Sequence, residues 1–137
     1  QALNTGHDGG LSTAHGNSSR DILGRLEMMV LMGMDLPLSA IRQQIASGID
    51  VIVHLGRLPD KSRRVLEIVE LDGICDGEIM LSPLYQLKEC EGDWKLRNVG
   101  ALKHMGKLQM AGVVYPADSQ TNGLDNKSGM QTGSPKY

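Results

Sequence analysis

The apolar residues of this chain change their spacing near Asp50, and this change limits the folds that the chain can adopt. Before Asp50 they recur at intervals of three and four, which is typical of helices with one buried face. This predicts one helix over Arg20 to Leu31 and a second within PLSAIRQQIASGI. After Asp50, apolar and polar residues alternate, which is typical of half-buried strands. The pattern predicts an antiparallel sheet with strands in DVIVHLGRL, RVLEIVEL and GEIMLSPLYQLKE, and a fourth strand at DWKLR.

Local signals set the ends of the two helices. A hydroxyl group of Ser18 or Ser19 can cap the first helix, and Gly33 can end it. Pro37 suits the first turn of the second helix, because its missing amide proton is not needed there. The residues of the second helix that we expect to face inward are Leu38, Ile41, Ile45 and Ile49.

Three further segments flank these elements. GGLSTAH is predicted to be a buried strand, and residues 102–113 to be a short basic helix that ends at Gly112. Residues 116–137 are rich in Gly, Ser and Asn, so we expect a disordered tail that follows one domain over residues 1–115. QALNTG resembles the last turn of a helix, which predicts that the chain is a fragment of a larger protein.

Composition disfavours several classes of function. The 137 residues carry a net charge of −2 and only 3% aromatic residues, so neither a basic surface nor stacking platforms for nucleic-acid bases are expected. No apolar run is long enough to cross a membrane and no signal peptide is evident, so we expect a cytoplasmic location without direct membrane insertion. Cys75 and Cys90 do not form a C-x-x-C motif and are interpreted as free thiols.

The stretch TGHDGGLSTAHGNS, residues 5–18, contains two of the four histidines and is the candidate functional site. His7, Asp8 and His15 could bind a metal ion, but they are too few for a typical site. Ser12 or Thr13 could act as a nucleophile, although neither lies in a nucleophile-elbow motif. The histidines could also simply satisfy hydrogen bonds of a loop. In the fourth interpretation, His15 lies at the end of a strand and contacts a terminal phosphate or holds a water molecule.

Three spaced patterns carry a resemblance to a known family. They are T-G-H-x-G-x-L-x-T-x-H at residues 5–15, R-D-x-L-x-R-L-E at residues 20–27 and R-x-Q-I-A-S-x-I-D at residues 42–50. Over residues 1–112 the chain resembles the carboxy-terminal half of the ATPase domain of type II/type IV secretion ATPases. The branch that it resembles is that of CpaF, the tight-adherence pilus assembly ATPase, and its relative VirB11.

The resemblance implies a fold and roles for individual residues. The fold would be α/β, the carboxy-terminal part of a RecA-like P-loop ATPase domain with an antiparallel hairpin extension. Residues 5–17 match the family's histidine box, in which His15 would face the terminal phosphate and His7 would lie in the turn that enters the strand. Thr13 and Ser12 would lie near the nucleotide, with Thr13 supporting His15. Arg20 and Arg25 match arginines that follow the box, either at a subunit interface or as solvated, structural salt-bridge residues.

The resemblance also implies cofactors and partners for the full-length protein. It would be a homohexamer that uses ATP and Mg²⁺ and works with an inner-membrane platform protein to drive secretion or pilus assembly. However, the sequence contains neither a G-x-x-x-x-G-K-[ST] motif nor an acidic Walker B segment, so we expect this chain alone to be inactive and to need no cofactor. The alternative is a non-catalytic interaction module, or degenerate paralogue, that docks on a full-length secretion ATPase.

Overall fold

The computed structural model describes residues 9–113, which form two helices, a sheet and a short third helix. The sheet has four antiparallel strands in the order β1-β2-β3-β4. The predicted change from helices to an antiparallel sheet is therefore confirmed, and DWKLR does form a strand. The elements are α1 (Ser19–Gly33), α2 (Leu38–Gly48), β1 (Val51–Arg57), β2 (Arg63–Cys75), β3 (Glu78–Cys90), β4 (Asp93–Asn98) and α3 (Gly106–Met110).

The core lies between the two long helices and one face of the sheet. Leu23 of α1 packs against Leu71 of β2 and Ile79 of β3, and Ile41 of α2 is only 1% exposed. Each of these side chains removes its apolar surface from water, which is the main stabilising term in a domain of this size. The partly buried residues that pack around them are Leu26, Ile45, Ala46, Ile49, Ile52 and Leu81.

The second helix differs from its prediction at its first turn. Pro37 is the cap residue and not part of the helix, and its carbonyl group accepts hydrogen bonds from the amides of Ala40 and Ile41. Ile41, Ile45 and Ile49 face the core as predicted, but Leu38 is 38% exposed. Leu38 lies in the first turn, at the edge of the packed surface, so the helical repeat alone overestimates its burial.

The predicted strand in GGLSTAH is wrong for this structure. Residues 9–15 form neither strand nor helix, and Leu11 is 99% exposed. A strand is stabilised by a neighbour that pairs with its backbone groups, and no part of residues 9–113 pairs with this segment.

The predicted helix over residues 102–113 is shorter than expected, because α3 spans only Gly106–Met110. The amides of Lys103 and His104 donate to the side chain of Glu70, which holds the preceding residues outside the helix. The chain turns at Gly112, whose φ of 72° is left-handed, close to the predicted end. The predicted tail, residues 116–137, lies outside the described residues, as do residues 1–8.

Residues 99–107 cross the face of the sheet opposite the two long helices, and we call this segment the strap. The buried carboxylate of Glu70, 2% exposed, accepts the amides of Lys103 at 2.9 Å and His104 at 2.8 Å. At one end of the strap Val99 donates to the carbonyl of Leu84, and at the other the ammonium group of Lys107 contacts Asp50 at 2.7 Å. The strap is thus attached to β2, to β3 and to the start of β1.

Within residues 9–113, no helix is long and apolar enough to cross a membrane. Cys75 and Cys90 are free thiols at the ends of β2 and β3, and Cys75 is exposed.

The close approach of the strap to β3 predicts the effect of a glycine substitution. A Cβ atom on Gly100 would lie 2.3 Å from the carbonyl oxygen of Pro83, so backbone would have to move. We expect Gly100→Ala to lower the free energy of unfolding by about 1–3 kcal/mol, measured by urea denaturation. The matched control is Gly106→Ala, which adds the same methyl group where nothing lies within 4 Å. Equal stability of the two variants would contradict this account of Gly100.

The attachment of the strap also predicts a dependence of stability on pH. The ammonium group of Lys103 and the hydroxyl group of Ser82 donate to Asp72, and these two bonds hold the pKa of the Asp72 carboxyl below its ordinary value. A lowered pKa stabilises the fold at pH values above the unfolded pKa of about 3.9, and this contribution is lost as the pH falls through the folded pKa. The stability difference between wild type and Asp72→Asn should therefore shrink below about pH 4.

Urea denaturation between pH 3 and pH 7 measures this difference. The stability difference between wild type and Lys103→Gln should also shrink below about pH 4, because the hydrogen bond from Lys103 is the main cause of the lowered pKa of Asp72. A constant difference down to pH 3 would show that the Asp72 carboxylate contributes nothing specific.

Candidate functional site

The candidate site is the segment of residues 9–18 that leads into α1. Ser12, Thr13 and His15 all lie in it, and all three are exposed. His7 and Asp8 lie outside the described residues, so the structure does not address a pairing of the two histidines. The segment has no regular secondary structure, and its position therefore depends on how its end is attached to α1.

A cap at the start of α1 fixes the end of this segment. The hydroxyl oxygen of Ser18 accepts the amide of Asp21 at 3.0 Å, and the carboxylate of Asp21 accepts the amide of Asn17 at 2.8 Å. These two bonds join the residues before the helix to its first turn. The hydrogen bond from Asn17 is the main reason why the pKa of Asp21 lies below its ordinary value, and Arg25 lowers it further. Gly16 lies so close to Ile22 that a Cβ atom there would be 3.2 Å from the Cβ atom of Ile22.

A carboxylate from the sheet binds the same end of the helix. Glu67 of β2 accepts the amide of Ser19 at 3.2 Å and its hydroxyl group at 2.7 Å, both through Oε1. Ser19 is 2% exposed, and Nδ1 of His54 lies 3.8 Å from the same Glu67 oxygen. A negative charge at a helix amino terminus is favourable, because the free amides there carry partial positive charge. His15 is therefore four residues from a buried attachment point.

Glu67 and His54 were not among the candidate site residues predicted from the sequence. The sequence nevertheless contains an indication of its role. In the alternating pattern of β2, Glu67 lies on the same side of the strand as the apolar residues Val65 and Val69. A carboxylate at such a position needs polar partners, since burying an unpaired charge is costly. Which partners it has depends on the packing of α1 on the sheet, and the sequence pattern does not specify that packing.

The two arginines of the sequence analysis make contacts within this chain. Arg20 donates from Nη1 to the carbonyl oxygen of Ile79 at 2.9 Å, which attaches α1 to β3. Arg25 forms an ion pair with Asp21 one turn earlier, at 3.3 Å, and its side chain is 54% exposed. The salt bridge of Arg25 is of the solvated kind that contributes little stability. The guanidinium groups thus bind Ile79 and Asp21, and neither forms a hydrogen bond with His15 in the described part of the chain.

Among the residues that the structure describes, no group of three or more His, Cys, Asp or Glu side chains could hold a metal ion. The chemistry available at the site is thus that of an exposed imidazole and two exposed hydroxyl groups on a segment with one fixed end. Such groups can donate hydrogen bonds to an anionic ligand that approaches from outside.

The chain is similar to several curated bacterial proteins that are named for conjugal transfer or type IV secretion. It is 37% identical to Rv3659c of Mycobacterium tuberculosis strain H37Rv over 70 residues. The matched segment covers 51% of this chain and 20% of that protein. It is 30% identical over 89 residues to the conjugal transfer protein TrbB of Rhizobium radiobacter, covering 65% of this chain and 26% of that protein. It is also 37% identical over 79 residues to the type IV secretion system protein PtlH of Bordetella pertussis, covering 54% of this chain and 23% of that protein.

The matched region spans between a fifth and about a quarter of the length of these curated relatives. The family profile described as "Type II/IV secretion system protein" matches residues 1–122, a range that contains the histidine stretch, both long helices and the whole sheet. The resemblance inferred from the three spaced patterns is thereby confirmed at the level of the family. The chain belongs to the type II/IV secretion system protein family.

Proposed function

We propose that this chain is part of a hexameric ATPase motor that hydrolyses ATP to power protein secretion, conjugation or pilus assembly. Residues 1–115 would be the carboxy-terminal portion of its RecA-like domain, in the CpaF-like and VirB11-like branch. Membership of the type II/IV secretion system family supports the proposal, as do relatives named for conjugal transfer and type IV secretion. The observation that carries it is the exposure of His15 on a segment whose end is fixed at α1.

In this proposal His15 acts on the terminal phosphate of the nucleotide. An imidazole can donate a hydrogen bond to a phosphate oxygen, or hold a water molecule in line with the phosphorus atom. The hydroxyl groups of Thr13 and Ser12 lie on the same segment and can donate further hydrogen bonds to the nucleotide. His7 would support the same site from the preceding turn. Loss of the phosphate would then change the contacts of this segment and couple hydrolysis to motion between subunits.

Other parts of the machinery would come from outside these residues. The sequence has no Walker A motif, and the described residues include no group of three or more His, Cys, Asp or Glu side chains that could hold a metal ion. In this proposal the phosphate cradle and the ligands of Mg²⁺ belong to the rest of the full-length protein. Its partners would be identical subunits and an inner-membrane platform protein, and the motor would work at the cytoplasmic side of that membrane.

A non-catalytic interaction module is the second candidate. The last turns of α1 expose several methionines, which suit adaptable protein contacts, and these are Met28, Met29 and Met32. In this alternative the chain docks on a full-length secretion ATPase and never contacts nucleotide. Turnover measurements on His15 variants separate the two candidates, because only the motor proposal gives the imidazole a role.

The motor proposal predicts the effect of removing the imidazole. In the full-length protein, His15→Ala should lower ATP turnover about 100-fold while the hexamer stays assembled, because the imidazole acts on charge and contributes no packing. The matched control is His104→Ala, which removes an imidazole on the opposite face of the sheet, where it contacts Glu70. Phosphate release and size-exclusion chromatography are the measurements. Wild-type turnover in His15→Ala would overturn the proposal.

The proposal also predicts that the 137-residue chain is inactive by itself. Phosphate release from ATP and Mg²⁺ should stay at the buffer rate, since no phosphate cradle is encoded in these residues. The full-length protein under the same conditions is the control. Measurable turnover by the isolated chain would place a complete active site within it and contradict this division of the machinery.

A further inference from the structure

The carboxylate of Glu67 in β2 binds the first residue of α1. Oε1 of Glu67 accepts both the amide and the hydroxyl group of Ser19, at 3.2 and 2.7 Å. The two bonds fix the backbone and the side chain of Ser19 at the same time. Ser19 is 2% exposed and the side chain of Glu67 is 25% exposed, so water has limited access to these bonds.

This attachment is stronger than an ordinary helix cap. Hydrogen bonds to an ionised group are about twice as strong as those between neutral groups. The charge of Glu67 also lies at the positive end of α1, a helix of 15 residues. The cap by Ser18 holds the helix to itself, whereas Glu67 holds the helix to β2. The Glu67 bonds therefore join the first residue of α1 to β2, and the bond from Arg20 to the carbonyl oxygen of Ile79 joins the next residue to β3.

The position of His15 depends on this point. Asn17 and Ser18 are joined to Asp21 by hydrogen bonds, and Gly16 packs closely on Ile22, so the residues between His15 and Ser19 are held to the first turn. A shift of Ser19 is thus passed on to the imidazole. Positioning errors of about 1 Å can reduce the rate of an enzyme about 100-fold.

We propose that Glu67 is a positioning residue for His15, which it orients through Ser19 and the start of α1. The inference rests on the proposed function, in which His15 acts on the terminal phosphate. In this inference Glu67 acts without contacting the nucleotide. It fixes the direction from which His15 approaches the phosphate. Nδ1 of His54 lies 3.8 Å from Oε1 of Glu67, the oxygen that binds Ser19.

A double-mutant cycle in the full-length protein tests the inference. Glu67→Ala should lower kcat about 10-fold and leave KM for ATP within about 2-fold, because orientation of the imidazole affects the chemical step and not nucleotide binding. The double variant Glu67→Ala with His15→Ala should be no slower than His15→Ala alone, because Glu67 acts through His15. If Glu67 had only a structural role, its loss of kcat would combine with that of His15→Ala, and the double variant would be slower than His15→Ala alone.

Two further variants separate the hydrogen bonds from the charge. Glu67→Gln keeps an oxygen that can accept from Ser19, so it should recover part of the lost kcat and remains informative if Glu67→Ala does not fold. Glu89→Gln is the matched control, since it removes a glutamate charge at an exposed position of β3. It should leave kcat unchanged. Circular dichroism compares the folding of all variants.

Amide hydrogen exchange on the 137-residue chain gives an independent measurement. In Glu67→Ala the amide of Ser19 should exchange at least about 10-fold faster than in the wild type, because it loses a charged acceptor. An unchanged exchange rate would overturn the inference, because Glu67 would then not hold the start of α1.

The kinetic outcomes also separate this inference from the proposed function. If His15→Ala is slow but Glu67→Ala has wild-type kcat, or if the two losses multiply, the inference is overturned and the proposed function stands. If His15→Ala itself has wild-type turnover, the proposed function is overturned and the inference falls with it.

Discussion

The burial of β2 between the helices and the strap is the constraint on which the rest of the structure depends. Successive side chains of a strand point to opposite faces, so Glu67 faces the helices and Glu70 faces the strap. The carboxylate of Glu70 is buried and that of Glu67 is partly buried, and each is stabilised by hydrogen-bond donors. Glu67 takes them from the start of α1, and Glu70 takes them from the strap. One strand thereby fixes the segments on both faces of the sheet.

This arrangement has a consequence for the histidine stretch. Residues 9–15 have no strand partner within the described part of the chain, and yet their junction with α1 is attached at several points. A segment that is attached through its junction with α1 can present an imidazole to a ligand without burying it. The chain belongs to the type II/IV secretion system protein family, and its relatives include proteins named for conjugal transfer and type IV secretion.

The sequence predicted the elements better than it predicted their partners. Helical and alternating periods located both long helices and all four strands, because each element buries one face and its apolar residues must repeat with its geometry. The same pattern failed for GGLSTAH, because a short apolar run becomes a strand only beside another strand. It also overestimated α3, because the tertiary contacts of Glu70 compete with local helix propensity at Lys103 and His104.

The sequence by itself determined the family and the order of the long helices and strands, and it located the two-histidine stretch, since these depend on residue types at fixed spacing along the chain. Only the tertiary structure decided that Ser19 meets Glu67, that Arg20 binds the carbonyl of Ile79 and that the strap closes over Glu70. These contacts join residues separated by more than 30 positions, and they arise from the way α1 and the strap pack on the sheet. Local sequence patterns do not specify this packing, because many arrangements of the same helices and strands would bury the same apolar faces.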